Sequence, residues 1–314
     1  GRYIPTIAVD ATGRPMLVLE DYAVPPHLVV LEVGGPRTVL TSETAGSAAA
    51  TARTGTVETL AWTGAEGWSI EGLLAIPAGE GPHPLVVNVH GGPISAWRNN
   101  WCGRDAHTNA LVAAGYSVLK PNPRGSFGRG AKFAEAVLGD MGGLDAHDIL
   151  SGVETLRARP DVDVSRTGVT GNSYGGYMAT WLPTLSDVIR ASVARSPVTD
   201  WLTQHLTSNI TAFDERFLDG SPFDDESQFR TRSPLHRVEA ITIPVMLTAG
   251  ALDLATPASQ AQILHAALRE AGVPSSLVVY PEEGHGVRRQ EALVDQCTRM
   301  VGWFDRHLTR PDGG

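Results

Sequence analysis

The spacing of apolar positions changes near residue 57, and that change divides the chain. Before it, short runs with strand-like alternation occur at Ile4 to Val9, Pro15 to Glu20, His27 to Glu32 and Arg37 to Thr41. Turn signals separate them at Asp10-Ala11-Thr12-Gly13, at Pro25-Pro26 and at Gly34-Gly35-Pro36. Four short strands at this spacing make one unit the size of a propeller blade. A lone blade leaves edges and one face uncovered. Residues 42 to 54, rich in Ser, Ala, Thr and Gly, read as a linker.

From Val57 onward the pattern differs. Val57 to Trp62 and Trp68 to Ile76 predict an antiparallel pair, and strands and helices then alternate. Strands are predicted at Leu85 to Val89, Ser117 to Lys120, Arg166 to Thr170, Ile189 to Ala194, Val245 to Ala249 and Ser276 to Tyr280. Helical spacing marks Asp105 to Ala114, Leu144 to Arg157, Ser259 to Ala271 and Ala292 to Leu308. Such alternation predicts an α/β fold, a mostly parallel, doubly wound sheet with helices on both faces. Functional residues belong at the carboxyl ends of its strands.

One strand–helix junction stands out. Gly171-Asn172-Ser173-Tyr174-Gly175 lies between the strand ending at Thr170 and the helical run from Tyr177. A serine in G-x-S-x-G at such a turn has its hydroxyl exposed on a strained backbone. The flanking glycines are expected because a Cβ there would strike the neighbouring strand or helix.

Composition narrows the function. With 314 residues, 42% hydrophobic and 19% charged, the chain can bury a large core, and no apolar run is long enough to span a membrane. A formal net charge of −9 disfavours nucleic acid as a partner. Cys102 and Cys297 read as free buried thiols, and no metal-ligand spacing occurs, so neither metal nor cofactor is expected. The sequence opens Gly1-Arg2, without Met or a leader; a bacterial cytoplasmic setting is the expectation.

A serine hydroxyl needs a base, and the base needs a carboxylate to fix its tautomer. Asp253 follows the strand ending at Ala249, 80 residues after Ser173; His285 follows the strand ending at Tyr280, 32 residues further on. Ser…Asp…His is the chain order of α/β-hydrolase triads. Asp253 could instead only cap the helix that begins near Pro257, whereas His285 between two glycines is hard to explain as packing. The strand ending at Val89 runs into His90-Gly91-Gly92-Pro93, where bare backbone N–H groups could serve as an oxyanion hole. Gly92 and Tyr174 are the candidate donors, with His90 buttressing the loop.

Taken together, these pieces resemble the catalytic part of the prolyl oligopeptidase family of serine peptidases, nearest its acylaminoacyl-peptidase branch. The resemblance rests on His90-Gly91-Gly92-Pro93, Asn122-Pro123-Arg124-Gly125-Ser126, Gly139-Asp140-Met141-Gly142-Gly143 with Asp145 and Asp148, and Gly171 to Tyr177. Asp253 with Pro257 and Gly284-His285-Gly286 complete it. The family often carries Asp-x-x-Val-Pro where this chain has Asp253-Leu254-Ala255-Thr256-Pro257.

The resemblance implies an α/β-hydrolase domain over 57–314, preceded by the closing blade of an N-terminal β-propeller over 1–50 and a linker to about 56. It implies a C-terminal fragment or one piece of a cleaved polypeptide, whose remaining blades sit on a companion fragment or in the full-length chain. It also implies that Val198, Trp201, Phe213 and Phe217 line an apolar, aromatic side-chain pocket, with an ordinary core position as the alternative for any single one. Arg124 could hold a substrate carbonyl or tie down its own loop. The reading is a serine peptidase of short peptides, with Ser173 as nucleophile, His285 as base and Asp253 as its orienter. A carboxylesterase with the same triad and a non-enzymatic binding protein on the same scaffold are the alternatives.

Overall fold

Two separate sheets are present in the computed structural model, which describes residues 7–32, 34–41 and 55–308. The stretch 42–54 read as a linker, and the start of the first strand, lie outside the described residues. The first sheet is a four-stranded antiparallel meander of β1 (Ile7–Val9), β2 (Pro15–Asp21), β3 (Val24–Leu31) and β4 (Arg37–Val39) in the order β1-β2-β3-β4. It does not join the second sheet. Pro25-Pro26, expected as a turn, instead lies inside β3. The reversal falls at Tyr22-Ala23, and the Leu19 to Asp21 stretch of β2 opposite is irregular in register. A proline tolerates that position because no regular ladder bond is required of its missing N–H.

The second sheet holds β5 (Thr56–Thr63), β6 (Ser69–Ile76), β7 (His83–Val89), β8 (Ser117–Asn122), β9 (Val162–Asn172), β10 (Ile189–Arg195), β11 (Val245–Gly250) and β12 (Ser275–Tyr280). Its order is β12-β11-β10-β9-β7-β8-β6-β5. The pairs β5–β6 and β6–β8 are antiparallel and the others parallel, so this is a mixed sheet of the α/β-hydrolase kind. Alternate residues of the central strands feed two cores. Leu85, Val87 and Val89 join one with Met178 and Leu264, while Val86 joins the other with Leu111 and Phe304. That two-sided burial explains the continuous apolar runs of the parallel strands. Helix 144–155, helix 174–181 and helix 258–270 contribute to the first core; helix 106–113 and helix 290–307 contribute to the second. Among the described residues, four further helices, 131–135, 201–207, 211–217 and 228–231, escape sequence periodicity because none exceeds 7 residues.

The meander rests on the hydrolase sheet through the loop after β7. Glu20 is fully buried, and its Oε2 accepts from Arg104 Nε at 2.7 Å and Trp101 N at 3.1 Å. The Tyr22 carbonyl accepts from Cys102 N, and the Tyr22 ring enters the second core. Arg124 is buried and makes a two-pronged pair with buried Asp148, Nε to Oδ2 at 2.8 Å and Nη2 to Oδ1 at 3.0 Å. Its Nη2 also donates to Ala65 O, and Asp148 Oδ1 accepts from Ala65 N. Of the two roles open to Arg124, this geometry supports tying loops together. No helix among the described residues is long and apolar enough to cross a membrane.

Candidate active site

Parallel register brings five strand ends to one edge. Val89 of β7 pairs with Gly171 of β9, Asn172 with Arg195 of β10, and Gly250 of β11 with Tyr280 of β12. His90, Ser173, Ser196, Asp253 and His285 therefore all emerge from the carboxyl edge of the sheet.

Ser173 sits at the start of helix 174–181 with φ +62°. An L-residue there is strained by about 1–3 kcal/mol, and the surroundings hold it. Ser173 N donates to Arg195 O at 3.0 Å and Ser173 O accepts from Tyr177 N at 2.8 Å. The expected glycine requirement is borne out. A Cβ on Gly171 would lie 2.5 Å from the Gly175 carbonyl, and one on Gly175 would lie 2.1 Å from Val89 O.

Asp253 is buried, and its carboxylate is surrounded by donors. Oδ1 accepts from Ala255 N and Thr256 N, each at 2.9 Å; Oδ2 accepts from Thr256 Oγ1 at 2.9 Å and faces His285 Nδ1 at 2.8 Å. Burial pushes this carboxyl up, but the hydrogen bond and charge of His285 and the Thr256 bonds outweigh burial and hold it below the ordinary carboxylate value. Asp253 thus does more than cap a helix: the next helix, 258–270, starts beyond Pro257 with no side-chain cap. Neither nearby alternative competes for the histidine. Glu283 accepts from Arg288 N and Arg289 N, and Asp200 accepts from Thr203 N and lies 3.3 Å from His236 Nε2.

His90 is buried with Nδ1 2.7 Å from Gly91 O and Nε2 2.9 Å from Ser126 Oγ. Neutral imidazole satisfies both contacts, donating to the carbonyl and accepting from the hydroxyl. In a trans peptide the carbonyl and the following N–H point in opposite directions. Holding Gly91 O towards His90 therefore turns the Gly92 N–H away from it. Tyr174, the other donor candidate, is fixed through its hydroxyl, which donates to buried Asp145 Oδ2 at 2.7 Å. Burial pushes the Asp145 carboxyl up to about 6, against the bonds it accepts from Tyr174, Gly142 and Ala146.

The pocket candidates do come together. Trp201 lies edge-on to Tyr177 at 5.1 Å and stacks on Phe213 at 6.4 Å, and Phe213 meets Phe217 at 4.4 Å. Val198, Trp201 and Phe217 are buried and Phe213 half-buried. Leu252 and Leu254, flanking Asp253, are more than 60% exposed and add apolar surface beside the site. Sequence reasoning missed Asp145 as the partner of Tyr174, and Thr256, whose hydroxyl also lies 3.1 Å from His285 Nδ1. Thr256 was visible only as the departure from Val in the Asp253-to-Pro257 pattern.

A profile of the prolyl oligopeptidase family matches residues 103–310. The chain belongs to the prolyl oligopeptidase family. It is 34% identical over 251 residues to the uncharacterized peptidase YuxL of Bacillus subtilis, covering 77% of this chain and 38% of that protein. It is 27% identical to acylamino-acid-releasing enzyme 1 of rice, over 72% of this chain and 30% of that protein. Among solved structures, the Pyrococcus horikoshii acylaminoacyl peptidase superposes with a TM-score of 0.87 at 27% identity, covering 100% of this chain and 51% of that one. An acylaminoacyl peptidase in complex with Z-Gly-Gly-Phe-chloromethyl ketone gives 0.86 at the same identity, with the same coverage of both chains. The chain thus spans between about a third and a half of the length of these family members.

Burial pushes His90 down from 6.5 to about 4, opposed by its bond to Gly91. A basic group depressed in the fold contributes stability above its unfolded value, and that contribution is lost as pH falls through the folded one. Unfolding free energy should therefore drop between pH 6.5 and pH 4, His90 accounting for roughly 3 kcal/mol at most. Urea titrations at pH 7 and pH 4.5 should show a clearly smaller drop in His90→Gln. Equal drops in both proteins would mean that His90 does not control this transition.

Proposed function

We propose that the chain is the catalytic part of a serine peptidase that cleaves short peptides through Ser173, His285 and Asp253. The observation that carries this reading is the Asp253–His285 contact of 2.8 Å at the strand edge from which the strained Ser173 also emerges. Asp253 engages Nδ1, which fixes the tautomer and assigns Nε2 to the serine hydroxyl. As His285 takes the proton, Ser173 Oγ adds to the substrate carbonyl, and Gly92 N–H and Tyr174 N–H receive the oxyanion. His285 then protonates the leaving amine. Water, activated by the same histidine, releases the acyl group from Ser173. Peptide chemistry is favoured over ester chemistry by relatives that are peptidases by name. Matched amide and ester substrates decide between the two; turnover of the ester alone would make the chain a carboxylesterase.

Ser173→Ala should lower kcat by roughly 10⁶-fold, and Asp253→Asn by about 10⁴-fold. Fluorophosphonate should label the wild-type chain and leave Ser173→Ala unlabelled. Label retained in that variant would remove Ser173 as nucleophile, and near wild-type turnover of Asp253→Asn would remove Asp253 as orienter.

Val198, Trp201, Phe213 and Phe217 are proposed to shape the pocket for the residue before the scissile bond. An unpaired charge entering this apolar wall would lose its hydration without compensation. Selection among apolar side chains should be modest, about 1–3 kcal/mol for each methylene. Comparing kcat/KM across substrates ending in Phe, Leu, Lys or Asp checks this; faster cleavage after Lys or Asp defeats it.

The four-stranded meander is proposed to be the closing blade of a β-propeller over residues 1–50, with the hydrolase domain at 57–314. Two facts support the blade reading: the meander adds no strand to the hydrolase sheet, and the matched relatives are far longer than this chain. A full propeller would admit short peptides and exclude folded proteins. The complete protein should cleave a pentapeptide far faster than folded or casein-like substrates; equal efficiency on casein would contradict such gating.

A further inference from the structure

The loop after β11, with the first turn of helix 258–270, is bound to the segment after β10 at several points. Thr256 is at the centre and is buried. Its Oγ1 lies 2.9 Å from Asp253 Oδ2, 3.1 Å from His285 Nδ1 and 3.0 Å from Ser196 O. On one side of it, Gln260 Oε1 accepts from Thr199 N at 2.9 Å and Asp200 N at 3.0 Å, and Thr199 Oγ1 donates to Gln260 O at 2.6 Å. On the other, Ala255 O accepts from Gln204 Nε2 at 2.6 Å and Ser208 Oγ at 2.8 Å, and Asn209 N donates to Leu254 O. The residues joined on the β10 side are those that carry Val198 and Trp201.

A threonine hydroxyl has one proton, and both Asp253 Oδ2 and Ser196 O can only accept it. The hydroxyl therefore has two bonded arrangements. In one it donates to the carboxylate that orients His285. In the other it donates to the first carbonyl of the pocket segment and turns a lone pair towards the His285–Asp253 pair. Ser196 is also one of the few non-glycine residues with positive φ, at +43°, so its carbonyl direction depends on the contacts that hold the segment. Ser196 N donates to Thr248 O, which leaves the Thr256 hydroxyl as the side-chain contact on the carbonyl side.

We propose that Thr256 is a positioning residue that couples occupancy of the Val198–Trp201 pocket to the alignment of Asp253 and His285. The proposal rests on the reading of Ser173, His285 and Asp253 as the triad. A large side chain pressing on Val198 and Trp201 acts on a segment already bonded through Ser196, Thr199 and Asp200, so the push reaches the Ser196 carbonyl and the hydroxyl bonded to it. The histidine is then held in the productive orientation. Selectivity for the residue before the scissile bond consequently appears in kcat and not only in KM, since the alignment matters at the step where the proton moves.

The test measures kcat and KM separately on the full chain, with matched substrates carrying Phe or Ala before the scissile bond. Wild type should turn over the Phe substrate with the higher kcat. Thr256→Val, which keeps the shape and removes the hydroxyl, should lower kcat on Phe by about tenfold, the scale of one net hydrogen bond. The Phe-to-Ala ratio of kcat should fall towards one. Thr256→Ser should restore wild-type behaviour to within about twofold. The low-field proton resonance of His285 Nδ1–H should move in Thr256→Val and return in Thr256→Ser. An equal loss of kcat on both substrates, with the ratio intact, would reduce Thr256 to a structural support and overturn the coupling. So would a wild-type Phe preference lying wholly in KM, a result that needs no variant at all. Fluorophosphonate labelling of the wild type separates this outcome from failure of the triad reading, because labelling requires an activated Ser173 whether or not Thr256 couples to it.

Discussion

Everything at the candidate site depends on how closely the backbone can fold against itself between β9 and helix 174–181. Gly171 and Gly175 face each other across the turn, and Gly175 also lies against the end of β7. A methyl group at either place would overlap backbone, which cannot move aside as a flexible side chain can. With those two contacts made, Ser173 has little choice of conformation. Its left-handed backbone is maintained by Arg195 O from one side and Tyr177 N from the other. The same crossing puts the end of β7 next to the serine, so the His90-to-Pro93 loop arrives beside it without a separate device.

This dependence explains why so much was legible in the sequence. Ser173, Asp253, His285 and the Gly91-Gly92 turn each follow directly after a short apolar strand, and parallel register sends such positions to one edge. Order along the chain was therefore enough to bring them together. The missed features have a different physical origin. Asp145 meets Tyr174 across 29 residues, and Thr256 meets His285 across 29. Neither pairing has a local pattern, because a hydrogen bond between loops depends on where the loops land. The short helices between 201 and 231 left no periodicity to read. Pro25-Pro26 was misplaced for the opposite reason: a strong local turn signal gave way to the pairing of β3 with β2.

Arg124 shows how a residue type alone can mislead. A forked cation near a candidate active site suits a substrate carboxylate, yet here both prongs meet Asp148 and a third bond reaches Ala65 O. A buried pair of this kind adds little net stability over apolar packing, but removing one partner strands a buried charge, at about 3–5 kcal/mol. Its effect is to fix three segments relative to one another: the β5–β6 turn, the loop after β8 and helix 144–155.

The surroundings of the site also assign protonation states before any substrate arrives. Besides half-buried His285, the site holds Asp253, Asp145 and His90, all buried, and burial alone would neutralise each of these three. Asp253 escapes because its oxygens are met by two backbone N–H groups, a hydroxyl and an imidazole, so the charged form is the better bonded one. Asp145 accepts three bonds and has no imidazole partner, and burial pushes it closer to neutrality. His90 has one carbonyl to donate to and one hydroxyl as its second partner, contacts the neutral ring meets in full, and burial pushes the ring towards that form. A further cation at this strand edge would oppose the imidazolium that the proposed proton transfer creates. A neutral His90 therefore suits the proposed chemistry twice: it holds the Gly91–Gly92 peptide in place, and it adds no charge to the field around the carboxylate that faces His285.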